Sequence, residues 1–468
     1  MKRLTALLLG VLIFLGGCSL APKYTRPAAP IPTEWPSGQA YKNLPKVQGT
    51  SATAYLPWRD FFTDVRLQEI IQTALRNNRD LRLAALNIEK ARAMYKVQRA
   101  ELAPVVNGTT SGSRGRTPAD LSSSGSATTG EQWSVELGIS AWEIDFFGRL
   151  RSLTQSALES YFASEYACRS TQILLVSEVV NAYLMLATDT ENLNLARSTL
   201  ESQQASYNVI RRRHEMGIAT ELDLRQVQTR VESARVDVAK YTGLIAQDEN
   251  ALNLLVGTPV RPTLLPEGLC AVAPMPDVSP GLSSAVLLSR PDIFEAESTL
   301  KAAYADMGAA RAALFPSISL TTALGTASAD LTGLFKSGSF VWNYAPKMTL
   351  PMFDPRAWSA LKVTKVNREI AVAQYEKAVQ TAFREVSDEL AKQGTLGDQI
   401  VAQQNLVDAS AESYRLSSLR YDKGTDTYLN VLDAQRSLYS AQQGLISLQQ
   451  AKLTNQVTFY KVLGGGSF

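Results

Sequence analysis

The sequence predicts a mainly helical protein that also contains transmembrane β-strands and is built from two similar halves. Three observations support this fold class. An N-terminal export signal ends at a cysteine, long stretches recur about two hundred residues later, and segments of about ten residues alternate between apolar and polar side chains. Alternating segments of this length are typical of transmembrane β-barrels. Recurrence at a fixed distance indicates internal duplication.

The chain begins with a targeting signal. Lys2 and Arg3 precede an apolar run, residues 4–15, which is too short for a normal membrane-spanning helix. Small residues then lead to Cys18, a pattern that resembles a bacterial lipobox. The pattern implies cleavage before Cys18 and acylation of this residue, and Ser19 after it favours the outer membrane. The alternative is a plain signal peptide with an incidental cysteine.

Composition argues against nucleic-acid binding and offers little chemistry for an enzyme. The 47 basic and 44 acidic side chains nearly balance, and no basic patch is visible. Beyond the signal only Cys168 and Cys270 remain, and two unpaired thiols is the favoured interpretation over a disulfide. His214 is the only histidine, beside a predicted turn, and fits a solvated helix end better than a catalytic base. We therefore expect no catalytic residue, no metal site and no cofactor other than a covalent lipid on Cys18.

The duplication is clearest where residues 206–257 recur, without a gap, 207 positions later. Gly217 corresponds to Gly424, and each copy is predicted to be a helix end, a tight glycine turn and a long helix. Apolar residues follow these turns at heptad spacing, which is typical of a coiled-coil seam. In the first copy the two series comprise Leu224, Val227, Val231, Ala234, Val238, Tyr241, Ile245, Leu252 and Leu255. An amphipathic helix in a soluble bundle explains the spacing alone equally well.

A second stretch, residues 80–104, corresponds to residues 292–316, so the duplication covers nearly the whole chain. The predicted organisation has six parts: a signal peptide (1–17), a lipid-anchored extended arm (18–57), a first repeat (58–259), a Pro-rich connector (260–280), a second repeat (281–464) and a short tail (465–468). Each repeat is predicted to contain a helix, a β-hairpin and a long helical hairpin. The hairpins are placed at about 104–147 and 149–256 in the first repeat, and at about 316–352 and 358–463 in the second.

After Pro104 and Pro316 the periodicity changes from helical to alternating, most clearly in residues 133–141 and 317–324. Strands of a soluble β-sandwich alternate in the same way, but the export signal favours a membrane. No apolar run after residue 18 is expected to span as a helix, since the best one, residues 173–187, contains a glutamate and an asparagine. Strands in lipid must form a closed barrel, and four strands cannot close. The chain is therefore expected to oligomerise.

Each second strand leads directly into a helical segment of about 60 residues, which would span roughly 90 Å at 1.5 Å per residue. This exceeds a bilayer's thickness, so the helices are expected to project into an aqueous compartment.

Several motifs together resemble the TolC-like outer membrane factors, the OprM-like lipoprotein channels of tripartite resistance-nodulation-division efflux pumps. The likeness covers essentially the whole mature chain. Its specific stretches are WEIDFFGR at 142–149, GIATELDL at 217–224, SRPDI at 289–293, FREV at 383–386 and YLNVLDAQR at 428–436. The second strand-to-helix junction, residues 353–358, departs from the family's Gly-Arg pattern.

The resemblance implies a homotrimer whose shared barrel has twelve strands, four from each protomer, continuous with a long periplasmic α-helical barrel and surrounded at mid-length by a mixed α/β belt. It places the protein in the bacterial outer membrane, anchored to lipid and extending into the periplasm. The implied partners are a periplasmic adaptor, or membrane fusion protein, and an inner-membrane resistance-nodulation-division pump.

The resemblance also assigns site residues. Leu429 would form an apolar ring and Asp433 a charged ring at the closed periplasmic end, with Arg436 one turn further on as a partner for Asp433. The alternative is that Asp433 and Arg436 are ordinary solvated helix charges. Adaptor contacts are expected at the two tips, at Gly217, Thr220, Glu221, Leu222, Gly424, Thr427 and Tyr428.

The function implied is a passive exit duct for multidrug efflux, opened at its periplasmic tip by the adaptor and the pump. Two alternatives remain from the sequence: the related channel of type I protein secretion, and a lipid-anchored coiled-coil scaffold. The sequence does not decide among drugs, dyes, detergents and metal ions as the exported substrates.

Overall fold

The computed structural model describes residues 19–42, 56–276 and 283–466. Cys18 and its predicted lipid lie outside the described residues. The helices and strands, in chain order, are α1 (Trp58–Phe61), α2 (Val65–Asn77), α3 (Arg79–Ala100), β1 (Val106–Thr117), β2 (Thr128–Ile144), α4 (Arg149–Glu215), α5 (Glu221–Val256), α6 (Pro291–Ala312), β3 (Ser317–Ser328), β4 (Phe340–Thr349), α7 (Pro355–Asp422) and α8 (Tyr428–Val462).

The same succession of elements occurs twice. A helix leads into two strands, the second strand leads into a very long helix of 67 or 68 residues, and a helix of 36 or 35 residues returns after a short turn. The predicted fold class, with long helices and four strands from a duplicated chain, is confirmed. The residue limits assigned to the repeats and the connector stay a prediction.

Capping side chains fix the helix ends that the sequence marks with asparagine and aspartate. The Asp64 carboxylate accepts hydrogen bonds from the first amides of α2. Asn78, between α2 and α3, accepts one from the amide of Leu81 at 2.9 Å and donates one to the carbonyl of Leu255 at 2.9 Å. One amide side chain thus starts α3 and ties it to the end of α5, because it satisfies backbone groups that a helix terminus leaves open.

The four strands form one antiparallel sheet in the order β1-β2-β3-β4. β2 pairs with both its neighbours, and its register against β3 shifts between Ile139 and Trp142. Ala141 lies in this irregularity with a φ of 51°. An extra residue of this kind bends a strand and sharpens its twist.

The chain divides into two compact units, and each draws on both halves of the duplication. The first comprises residues up to Ala28, Asn87–Glu165 and Glu295–Tyr375, and contains the sheet. In it, the arm residues Tyr24 and Arg26 donate to the Glu297 carboxylate at 3.1 and 2.5 Å.

The second unit comprises Ala29–Leu86, Tyr166–Phe294 and Glu376–Phe468, and contains the helical turns. Its core includes a stack of Phe61 on Tyr460, with ring centroids 4.5 Å apart. Buried Arg290 donates to Asp292, to Glu385 and to the carbonyl of Val462, so its charge is neutralised by partners that lie far apart in the sequence.

Among the described residues, one helix, α4, contains a stretch long and apolar enough to cross a membrane by length and composition alone, and 61% of that stretch is buried. The expectation that no run after residue 18 spans a membrane as a helix stays a prediction, because this test considers length and composition alone. A core helix meets it too, because burial inside a protein selects the same apolar residues as burial in lipid. Cys168, in α4, is buried and Cys270 is exposed, and both are free thiols.

Candidate functional site

The first tip joins α4 to α5 and is ordered by its own residues. Gly217 adopts a φ of 74°, which a residue with a Cβ rarely tolerates, and the next amide bonds the carbonyl of Arg213 at 2.8 Å. Thr220 then caps α5: its hydroxyl accepts from the amide of Asp223 at 3.1 Å, and the Asp223 carboxylate accepts from the amide of Thr220 at 2.9 Å. This reciprocal pair is a capping box, which fixes the start of a helix locally.

Charged side chains flank this tip on its exposed surface. Glu221 lies 3.3 Å from the His214 Nε2 and 2.8 Å from the Arg225 Nε. Leu222, predicted as an adaptor contact, is 66% exposed. The first tip thus presents an apolar side chain beside paired charges.

The second tip joins α7 to α8 and repeats the backbone geometry with different side chains. Gly424 has a φ of 70°, and Thr427 at the start of α8 makes no side-chain cap. Asp426 takes that role, accepting from the amide of Thr427 at 2.8 Å, from Asn430 and from Arg420. The hydrogen bond from the Thr427 amide, followed by those from Asn430 and Arg420, lowers the pKa of Asp426.

A hydrophobic cluster holds the second tip against the first. Tyr428 is only 7% exposed and packs with Ile210 of α4, Val227 of α5, and Val431 and Leu432 of its own helix. Burial raises the pKa of its phenol. Of the residues predicted as tip contacts, Tyr428 is therefore a packing residue in this conformation.

An aromatic contact continues this cluster to the turn. Tyr421 meets Tyr428 edge-to-face at 4.9 Å, and the Arg213 guanidinium lies 5.1 Å from the Tyr421 ring centroid. The sequence alone does not reveal these roles of Ile210, Tyr421 and Asp426. Their positions in the duplicated stretch could have drawn attention to them, but not their partners.

The predicted gate residues lie together on the first turns of α8. The Arg436 Nη2 lies 3.5 Å from the Asp433 Oδ1, and Leu429, one turn earlier, is 49% exposed. Both charged side chains are at least half exposed. The structure thus brings Asp433 and Arg436 within ion-pair distance inside one chain. Within residues 19–42, 56–276 and 283–466, no group of acidic, histidine or cysteine side chains could hold a metal ion.

The sheet presents two chemically different faces, because side chains alternate along each strand. On β4, Phe340, Trp342, Tyr344 and Met348 share one face and are all exposed in the single chain. Their partners on β3 include Leu324 opposite Trp342.

The opposite face of the sheet is polar. It carries Asn107, Thr109, Ser111, Ser134, Glu136, Ser317, Ser319, Thr321, Asn343 and Lys347. One apolar and one polar face are what a strand in a membrane barrel needs, facing lipid on one side and water on the other.

The length of the apolar face can be compared with a bilayer. Trp133 and Trp142 on β2 are nine residues apart, or about 30 Å along a strand. A strand tilt of about 40° reduces this to about 23 Å, close to the apolar band of about 25 Å in outer-membrane barrels. The two tryptophans are therefore spaced as the two interfacial aromatic girdles of such a barrel would be.

The strand-to-helix junction of the first half explains the sequence WEIDFFGR. Arg149 makes two hydrogen bonds to Glu143, at 2.9 and 2.6 Å, and Arg151 lies 3.2 Å from Asp145. The second junction has only the pair Asp354–Arg356 at 3.0 Å, and this arginine is almost fully exposed. The departure noted in the sequence is thus a change from two ion pairs to one.

Comparisons with known proteins agree with this architecture. The protein-family model described as "Outer membrane efflux protein" matches residues 70–258 and 282–465, the two halves of the duplication. Two Pseudomonas putida proteins, the antibiotic efflux pump outer membrane protein ArpC and the toluene efflux pump outer membrane protein TtgC, are each 49% identical to this chain over 97% of its length and 93% of theirs.

A solved structure shares the fold over almost the whole chain. The open state of the Neisseria gonorrhoeae MtrE outer membrane channel superimposes with a TM-score of 0.84 and 36% identity, covering 96% of this chain and 98% of that one. Matches of this extent establish that the protein is an outer-membrane component of an efflux system and that the chain belongs to the outer membrane efflux protein family.

Proposed function

We propose that this chain forms, as a homotrimer, the passive exit duct of a tripartite efflux system. The observation that carries the proposal is the open four-stranded sheet with one apolar and one polar face. β1 and β4 are its outer strands, and unpaired strand edges are not tolerated in lipid. Closure therefore requires strands from further copies, and the resemblance to outer membrane factors supports a total of three copies.

The polar face would then line a water-filled lumen, and the apolar face would contact lipid. A wide duct selects little, so the cargo is determined by the pump. ArpC and TtgC are named for antibiotics and toluene, and we propose antibiotics and organic solvents as the cargo class here.

The periplasmic end is proposed to be closed by rings of Leu429 and Asp433, with Arg436 as the partner of Asp433. Three carboxylates brought together repel one another unless cations neutralise them, and Arg436 lies at 3.5 Å to do so. The exposed parts of the two tips are proposed to contact a periplasmic adaptor, which couples the duct to an inner-membrane resistance-nodulation-division pump. A lipid on Cys18 would anchor the arm.

The proposal includes no catalytic step and no cofactor. Its support is the family membership.

The test is single-channel conductance in planar bilayers of a Cys18→Ala protein exported with a cleavable signal. We expect small, mostly closed conductance that rises several-fold in the variant Asp433→Ala, because the charged ring is lost. Glu412→Ala is the matched control, since Glu412 and Arg415 form a similar exposed ion pair three residues apart on α7. This control should conduct like the unmodified channel.

The outcomes separate the alternatives. Conductance that Asp433→Ala leaves unchanged would keep the duct and reject the gate. A stable oligomer that needs no detergent and never inserts would reject the duct and leave a lipid-anchored scaffold. Type I secretion would be favoured if a co-expressed secreted polypeptide, and not small organic compounds, left cells through the channel.

A further inference from the structure

Helix α8 is held on two sides shortly after the gate pair. Residues 439–444, together with their partners Asp237, Tyr241 and Gln403, are called the collar here. They lie one to three helical turns beyond Asp433, on the side away from the tip. All of them belong to the same compact unit.

The first side of the collar is α5. The Tyr439 hydroxyl donates to the Asp237 Oδ2 at 3.2 Å, and the Gln443 Nε2 donates to the Tyr241 hydroxyl at 3.0 Å. The two pairs are spaced by four residues on both helices, so they form consecutive rungs between the same two faces. α8 of the second hairpin is thereby joined to α5 of the first.

The second side of the collar is α7. The Gln403 Nε2 donates to the carbonyl of Ala441 at 2.8 Å. A Cβ added at Gly444 would lie 2.5 Å from the same Gln403 nitrogen. A glycine at this position therefore allows the glutamine of α7 to reach the backbone of α8.

The collar and the first turns of α8 are held by different kinds of contact. Tyr241 is buried and packs against Leu193 and Ala196 of α4, and Ala441 is also buried. Leu429, Asp433 and Arg436 are about half exposed. Tyr428, Val431 and Leu432, in the first turns of α8, are buried by apolar packing, whereas the collar adds hydrogen bonds to both α5 and α7. We therefore expect the first turns of α8 to separate from their neighbours before the collar does.

We propose that the collar is the fixed point about which the tip opens, so that Tyr428–Leu438 is the part of α8 that moves. The proposal rests on the proposed function, in which the periplasmic end opens. The moving segment of eleven residues is about 16 Å long. The positioning residues of the collar are Tyr439, Gln443, Asp237 and Gln403. They determine where on α8 the moving segment ends, and this segment carries Leu429 and Asp433.

Reversible cross-linking tests the proposal in the full-length channel. In a background of Cys18→Ala, Cys168→Ser and Cys270→Ser, one cysteine pair replaces the collar residues Asp237 and Tyr439. A second pair replaces the tip residues Arg213 and Tyr421, which also bridge the two hairpins. Each protein is treated with a short dithiol-reactive reagent that forms cleavable mixed disulfides, and single-channel openings are recorded before and after dithiothreitol.

We expect the tip cross-link to abolish openings and dithiothreitol to restore them. The collar cross-link should leave openings unchanged, because these residues do not separate during opening. Loss of openings on collar cross-linking would overturn the collar as the fixed point while leaving the duct intact. Absence of conductance from the uncross-linked channel would overturn the proposed function and the collar with it.

Single substitutions give an independent measurement. Tyr439→Phe removes only one hydroxyl. Because this rung persists in the closed and the open channel, we expect the fraction of time spent open to stay unchanged, while amide exchange in residues 439–443 accelerates about five-fold, the effect of one typical hydrogen bond. Thr242→Val is the control, since the Thr242 hydroxyl lies next to the collar but bonds only the carbonyl of Val238 within α5. An equal effect of the two substitutions on amide exchange would contradict the proposal.

Discussion

The two helical tips occupy equivalent positions in the duplicated chain but are ordered by different interactions. The first tip carries its own capping box, Thr220 with Asp223, and exposes Leu222. The second has no side-chain cap from Thr427 and buries Tyr428 against α4 and α5. The first tip is thus fixed by its own capping box, whereas the second combines the local hydrogen bonds of Asp426 with packing of Tyr428 on the other hairpin.

This difference assigns the two hairpins separate tasks. A segment ordered by local hydrogen bonds keeps its conformation when its surroundings move. A segment ordered by tertiary packing loses that order when the packing partner separates from it. The second tip, which carries the predicted gate, is therefore the one suited to change conformation.

The two hairpins also differ further from the tips, at a pair of equivalent polar positions. In the first, Asp248 of α5 faces Asp189 of α4, and burial together with the Asp189 charge raises the pKa of Asp248 to about 6. The position equivalent to Asp248 in the second copy is Asn455, which donates to the Glu389 carboxylate at 2.6 Å. An amide donor in the second copy thus replaces a second acid.

The largest expected effect comes from Tyr428→Ala. Removing a buried aromatic side chain costs about 3 kcal/mol or more, so amide exchange in residues 421–435 should accelerate about 100-fold. Residues 214–226 of the first tip should change little. Leu222→Ala is the control, since Leu222 is exposed. Equal acceleration of amide exchange at both tips would show that they open as one unit and would contradict the conclusion that the two tips are ordered differently.

A smaller effect is expected from Thr220→Ala. Loss of this N-cap costs about 1 kcal/mol, which corresponds to roughly five-fold faster exchange in the first turn of α5. The matched variant Thr427→Ala should leave the first turn of α8 nearly unchanged, because its hydroxyl makes no cap. A larger effect at Thr427 than at Thr220 would reverse the assignment of the locally ordered tip.

The smallest effect is the pH dependence of the first hairpin. The folded-state pKa of Asp248 lies above its ordinary value of 3.8, so the folded state holds this proton more tightly than the unfolded state. Its contribution to stability is complete below about pH 3.8 and is lost as pH rises through about 6.

The variant Asp248→Asn should remove this dependence. At pH 8 we expect a Tm about 2 °C above that of the unmodified protein, with a smaller difference at pH 5. Thermal unfolding followed by circular dichroism at both pH values measures it. A variant that loses stability equally at both pH values would show that the carboxylate is needed for another reason.

Much of the architecture could be predicted from periodicity. Alternation in residues 133–141 and 317–324 predicted strands, and the structure has β2 and β3 there. The heptad series predicted the packed face of α5, where Val227, Val231 and Ala234 are buried. Helical and alternating patterns are local properties, since a side chain's direction follows from its place in the repeat. Acylation of Cys18 stays a prediction, because the residue lies outside the described part.

The site was only partly predictable. The resemblance gave Leu429, Asp433 and Arg436, and the structure adds that the last two lie 3.5 Å apart. The resemblance could not give the burial of Tyr428, the stacking of Arg213 on Tyr421 or the rungs of the collar. Each of these joins residues about 200 positions apart.

The sequence by itself thus determined the duplication, the helices and strands, the glycine turns and the family. Only the tertiary structure decided which of two equivalent tips is packed and which is self-capped. A periodic pattern shows that one face of a helix is buried, but it does not identify the surface that buries it. That surface is formed by the other copy of the repeat, and the two copies became different through side chains whose partners lie on another helix.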